Sequence, residues 1–470
     1  MQNQLAKNTA IYALGDIIPK MLNLITVPIL TTHLSTEDFG IVNYINSIEL
    51  FLSILTFLGL KTYYLVYYYK VGDATEQKKL LGGLSILVLF FNLLLCSALM
   101  FIGPFLFRNI AQNISFYPYI FLGVTINFFS TFAVLPSALY RVRENPLPLT
   151  IINSLKGVLI MIGTIVVVRQ FPTAEVVLWV KVVVTVVFAV FFIFLTFRNA
   201  VFTIDFSLFK KALAFSLPLV PGDVAYYFST MSDRILIERY CSASILGIYS
   251  LAATLAGLLN IISYGAYRAF EPYFFKTYGK DSFLKDFEKV RDILLYVLLI
   301  LGFCLAIFSK EAIVIFAKPE YLEAGNYVMP LVLGVIVNSL ATMFSTVLTA
   351  QSKTKLCGFI SVLSAVVSVG FNMLFLPKIG VWSAVLANIL IFCLTLILSR
   401  YFSHISIKSI KPALAILFFI TVSLCVNRFL CFSDFFLSIL FKIVVLSLYI
   451  LLLSLVFKIT PISLIKGLKR

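Results

Sequence analysis

The chain has 470 residues, of which 61% are hydrophobic and 12% charged, and its mean hydropathy is +1.03. These values exclude an ordinary soluble globular domain. The 37 Lys and Arg outnumber the 21 Asp and Glu, yet the bases gather on alternate loops, a pattern of membrane topology that argues against a nucleic-acid partner.

Fourteen hydrophobic spans follow one another: 9 to 32, 41 to 65, 80 to 107, 115 to 138, 147 to 168, 174 to 197, 212 to 234, 245 to 270, 291 to 316, 325 to 349, 356 to 376, 380 to 402, 410 to 430 and 435 to 457. At about 1.5 Å per residue each crosses a hydrocarbon core of about 30 Å. The reading is an all-α polytopic membrane protein. An even number of spans puts both termini on one side, and the loops of that side carry most of the Lys and Arg, so the termini are predicted to be cytoplasmic.

The first span carries Asp16 and Lys20 at mid-depth and is followed by no small-residue cleavage site, so it reads as a retained helix. Pro19 and Pro28 interrupt it, as Pro218 and Pro221 interrupt the seventh. Each removes a backbone donor and bends its helix, which suits a central site as well as a plain packing kink. Tyr63, Tyr64, Tyr67, Tyr68 and Tyr69 close the second span and read as an interfacial belt. Two connections, Phe206 to Leu213 and Glu271 to Arg291, look amphipathic; in the latter Phe283, Phe287 and Val290 predict an interfacial helix feeding the ninth span. No connection exceeds about 20 residues, so no soluble catalytic domain fits.

Sliding the chain over itself by 207 residues places Gly15-Asp16 on Gly222-Asp223, Ser35 on Ser242, Gly40-Ile41 on Gly247-Ile248, and Lys61 on Arg268. Six spans separate the copies, so two six-helix lobes run in parallel about an axis along the membrane normal. The predicted divisions are an N-terminal lobe over 1–200, a second lobe over 201–403, and two additional helices with a tail over 404–470.

A charge at mid-bilayer costs roughly 2.5–3.5 kcal/mol even on the lenient insertion scale. Asp16, Lys20, Glu49, Lys156, Lys181 and Asp223 all lie within spans. Asp16 and Lys20 are four apart and can neutralise each other. Lys181 is roughly 10 Å from a span end and its stem can snorkel, as can those of Lys61, Arg268 and Lys442. Lys156 has no acid one turn away and needs a partner from elsewhere or a ligand. Together Lys20, Lys156, Lys181, Lys61 and Arg268 would line a cationic cavity; Asp16, Glu49 and Asp223 would balance charge or take a coupling proton or sodium ion. Tyr226 and Tyr227 could stack on sugar rings or simply pack, and Asp233-Arg234 reads as an interfacial pair. The seven cysteines and two histidines, His33 and His404, show no metal, redox or nucleophile spacing, and there is no phosphate-binding loop. No cofactor and no enzymatic chemistry are expected.

Lys7-Asn8-Thr9, Tyr12-Ala13-Leu14-Gly15, Pro28, the run from Leu34 to Gly40, Phe215-Ser216-Leu217-Pro218-Leu219 and Ser232-Asp233-Arg234 resemble the polysaccharide exporters of the multidrug/oligosaccharidyl-lipid/polysaccharide superfamily, particularly the Wzx-type, MATE-like flippases of O-antigen and capsule repeat units. The resemblance implies a V-shaped pair of lobes around a central cavity in the bacterial inner membrane, with spans thirteen and fourteen as counterparts of the lipid-groove helices of peptidoglycan-precursor flippases. It implies an undecaprenyl-diphosphate-linked oligosaccharide as substrate, membrane lipids around it, and a polysaccharide polymerase and chain-length machinery as partners. A lipid-linked peptidoglycan-precursor flippase and a cation-coupled drug antiporter are the alternatives. Where the resemblance leads one to expect arginines in the lumen, this chain mostly offers lysines, which bind phosphate as point charges rather than as bidentate forks.

Overall fold

The structure is a computed structural model that describes residues 18–19, 21–22, 24–405, 409–429 and 435–459. Asp16, Lys20, the Gly15-Asp16 half of the repeat and Cys431 lie outside the described residues. Within them the chain is helical, with no strand. Twelve of the helical segments are long and apolar enough to cross a membrane among the described residues, which makes this a multi-pass membrane protein. The two expected spans not among them are the first, described as helix α1 (Leu24–His33), and the seventh, which a 3-10 turn at Leu217–Leu219 divides into α9 (Phe206–Ser216) and α10 (Val220–Tyr240). That division falls between Pro218 and Pro221, where two backbone donors are missing.

The chain groups into two compact units, one ending at Gly247 and one beginning at Ile248. The first unit contains α1, α2 (Thr36–Phe57), α3 (Leu60–Tyr67), α4 (Ala74–Ile110), α5 (Phe121–Ser130), α6 (Val134–Val142), α7 (Pro146–Val168), α8 (Ala174–Asn199), α9 and α10. The expected second span is thus two helices. Leu58 and Gly59 both take positive φ, 45° and 72°, and turn the chain between them; glycine meets that conformation without a Cβ clash. A second break, a 3-10 turn at Thr131–Ala133, separates α5 from α6.

Tyr63 and Tyr64 do not form an interfacial belt. They are buried with Leu60, Leu84, Ala138 and Ala212 in a core where α3, α4, α6 and α9 meet, while Tyr69 is exposed. Large side chains such as Phe101, at 86% exposure, and Phe105, at 74%, instead face outward along α4. In water such a surface would aggregate; against hydrocarbon it costs nothing.

The second unit takes in most of α11 (Ala243–Thr277), then α12 (Phe283–Phe316), α13 (Ala324–Ala350), α14 (Thr354–Ile379), α15 (Trp382–Ser403), α16 (Lys411–Phe429) and α17 (Phe435–Phe457). Helix α13 is its buried centre, packed by α12 and α15. Phe283 and Phe287 belong to the opening turns of α12, which runs unbroken into the ninth span. Both are buried, with ring centroids 5.7 Å and 5.2 Å from Phe274, so they close the core instead of lying on an interface.

Helices α16 and α17 dock on α12. The α12/α17 contact is antiparallel: Tyr296 hydroxyl meets Ser454 at 2.8 Å, Phe303 stacks on Tyr449 at 4.0 Å, and Lys442 donates to Glu311 at 2.5 Å. Lys442 is 3% exposed. It does not snorkel, because its buried carboxylate partner satisfies it within the helix pair.

Candidate functional site

Helix α2 presents two opposite faces of the 3.6-residue period to different neighbours. Ser47 and Phe51 face α10, where the Tyr227 hydroxyl donates to the Ser47 carbonyl at 3.0 Å and its ring lies 5.0 Å from Phe51. Tyr227 is fully buried, so it packs; Tyr226 beside it is 57% exposed.

Asn46 and Glu49 occupy the other face. The Lys181 ammonium of α8 donates to Asn46 Oδ1, and the opposite charges acting on Glu49 are those of Lys181 and Lys156. The helices themselves set the depth. Counting from the helix ends on the face where α2 begins, Glu49 lies about 20 Å in, Lys156 of α7 about 18 Å and Lys181 about 10 Å. Asn46, about 15 Å in, is the α2 residue that Lys181 reaches. Thus Lys181 points inward to its partner on α2, and Lys156 finds on α2 the acid its own helix lacks. Glu49 Oε1 is buried with no hydrogen-bond partner among the described residues. The two ammonium groups act on Glu49 through space, and its Oε1 stays unsatisfied among the described residues.

The other candidate residues are placed differently. Lys61 is exposed in the first turn of α3, and Asp223 is exposed in the first turn of α10. Arg268 belongs to the second unit and is exposed on α11. Asp233 and Arg234 form a pair at 3.3 Å, with Asp233 buried. His33 Nδ1 lies 2.9 Å from the Ile29 carbonyl. Among the described residues no group of three or more His, Cys, Asp or Glu side chains is arranged to hold a metal ion.

Two buried carboxylates escaped the sequence reading. Glu311 accepts from Lys442 and, at 3.0 Å, from Ser438. Glu238, fully buried at the end of α10, accepts from the backbone amides of Gln112 at 3.3 Å and Asn113 at 2.6 Å, and Asn113 Nδ2 donates back to its carbonyl at 2.7 Å. The available signal was a pair of opposite charges, Glu311 and Lys442, each a turn or two inside the same face of spans nine and fourteen.

The profile of the family described as "Polysaccharide biosynthesis protein" matches residues 5–278, more than half of the chain. The chain belongs to that family. A second profile, MatE, matches residues 218–374. An uncharacterized membrane protein of Haemophilus influenzae is 23% identical over 387 residues, which is 78% of this chain and 89% of that protein. The fold is shared with the lipid II flippase MurJ in an inward closed conformation, at a TM-score of 0.76 and 14% identity over 95% of this chain and 98% of that one. An inward-facing multidrug resistance MATE family transporter of the MOP superfamily gives 0.66 and 13% over 83% and 97%. The all-α fold and the polysaccharide family expected from the sequence motifs both stand.

Proposed function

We propose that this protein is a flippase that carries an undecaprenyl-diphosphate-linked oligosaccharide repeat unit across the bacterial cytoplasmic membrane for surface-polysaccharide synthesis. The observation that carries the reading is the group of Glu49, Lys156 and Lys181. Two lysines against one carboxylate leave an excess of basic groups inside the spans, and an anionic head completes it. At about 4 Å and an effective dielectric near 20, each lysine–phosphate contact is worth roughly 4 kcal/mol before desolvation.

Membership of a polysaccharide biosynthesis family and likeness to a flippase of a lipid-linked substrate support the same reading. The prenyl tail stays in lipid while the head passes through by alternating access, with no bond made or broken. Lys20 and Lys61 are the further phosphate contacts in this proposal. Asp16, Glu49 and Asp223 balance charge or take a proton or sodium ion that couples transport to a gradient. Both termini are cytoplasmic, and a polymerase with chain-length machinery receives the product.

The test replaces Lys156 with Ala, Glu or Arg and measures surface polysaccharide at verified expression. Glu abolishes it, Ala lowers it and Arg is mildest; full polysaccharide with Lys156→Glu removes Lys156 from the site. The likeness to the lipid II flippase favours a peptidoglycan-precursor substrate as the second reading. Growth arrest on depletion, rather than loss of surface polysaccharide, separates the two.

A further inference from the structure

Beside the 3-10 turn at Thr131–Ala133, Leu135 and Pro136 of α6 border a crevice of about 260 Å³ against α4 and α8. Leu89, Phe197 and Phe202 line it and are 37%, 66% and 40% exposed, so it opens sideways toward the surrounding lipid. Its lining includes three hydroxyls, and each is already engaged by its own helix. Ser85 donates to Leu81 at 2.7 Å, Thr131 to Asn127 at 2.9 Å and Thr196 to Phe192 at 2.9 Å, in every case to the carbonyl. The rest of the lining is apolar, and an empty void of this size forfeits packing on all sides. Hydrocarbon is the filling that fits.

The crevice lies just beneath a charged rim. Phe197 adjoins exposed Arg198, and Ser85 is two turns from exposed Lys78. The loop after α8 crosses the start of α4, where the Val201 amide donates to the Lys78 carbonyl at 3.0 Å. Arg143, exposed past the end of α6, donates to Asn199 at 2.9 Å. Glu76 pairs with Lys79 at 2.7 Å, and around the rim the bases Lys78, Lys79, Arg141, Arg143 and Arg198 outnumber the acids Asp73, Glu76, Glu144 and Asp205. The excess is cationic and sits at the depth of a lipid headgroup when the chain below is buried.

We infer that this crevice is a binding site for one anionic glycerophospholipid, whose acyl chain fills the notch between α4, α6 and α8 while its phosphate lies among Arg143, Arg198 and Lys78. The site is separate from the Glu49, Lys156 and Lys181 group and does not depend on the proposed transport activity.

Native mass spectrometry of the full chain, released from mild detergent with phosphatidylglycerol or phosphatidylcholine of identical acyl chains, tests it. A single phosphatidylglycerol adduct should persist over phosphatidylcholine. Arg143→Gln and Arg198→Gln should each lower that preference about five-fold. Thr196→Phe, which fills the notch, should abolish the adduct. Leu89→Trp blocks the mouth from an exposed position and serves if Thr196→Phe does not fold. Equal retention of both lipids, an undiminished adduct in a folded notch-filling variant, or displacement by undecaprenyl phosphate would overturn the assignment.

Discussion

Replacing Gly40 with Ala should separate two helices that now touch backbone to backbone. Helices α2 and α11 start side by side, each capped by a serine: the Asp38 amide donates to Ser35 Oγ at 3.0 Å and the Ile245 amide to Ser242 Oγ at 3.1 Å. A Cβ on Gly40 would lie 1.9 Å from the Ala243 carbonyl oxygen, and one on Gly247 would lie 1.9 Å from that of Thr36. Under the 207-residue offset Thr36 corresponds to Ala243 and Gly40 to Gly247, so each glycine receives the carbonyl that its counterpart's helix supplies. A carbon–oxygen contact needs about 3.3 Å, which leaves each Cβ about 1.4 Å short. Overpacking of this kind costs about 1–3 kcal/mol, against about 1 kcal/mol gained from helix propensity. Gly257 of α11 has no atom within 4 Å of its would-be Cβ and is the control. In thermal unfolding followed by size-exclusion chromatography, Gly40→Ala and Gly247→Ala should each lower the midpoint, and Gly257→Ala should not. Because one outward shift clears both methyls, the double variant should cost much less than the sum of the singles. A Gly40→Ala midpoint equal to that of Gly257→Ala, or strict additivity of the pair, would refute the account.

Lys442→Met should destabilise the α12/α17 contact by about 3–5 kcal/mol, because it strands the Glu311 carboxylate; the double variant Glu311→Gln with Lys442→Met should recover most of the loss in the same unfolding assay. Glu238→Ala removes the acceptor for the Gln112 and Asn113 amides and should cost about 1–3 kcal/mol. It should also raise protease cleavage within 111–115, with Glu238→Gln intermediate because one acceptor oxygen survives.

Hydrophobic runs and the bend-forming prolines made twelve spans and the division of the seventh legible, since both follow from the composition of one segment alone. The repeat was legible for a related reason: at Gly40 and Gly247 a backbone carbonyl occupies the space of a side chain, so the residue type itself records the contact. What the sequence left open is which element faces which. Tyr63 and Tyr64 have the composition of an interfacial belt, but the Leu58–Gly59 turn redirects α3 into the core, and positive φ at a leucine leaves no compositional trace. Lys442 and Glu311 stand 131 residues apart, and only the antiparallel register of α12 and α17 brings them level. Lys181 shows the same dependence in the candidate site. Its distance from the helix end permits snorkelling and inward reach equally, and the choice falls to Asn46 and Glu49, one turn apart on a different helix. An intramembrane charge thus announces its cost in the sequence, whereas the partner that offsets it is a property of packing.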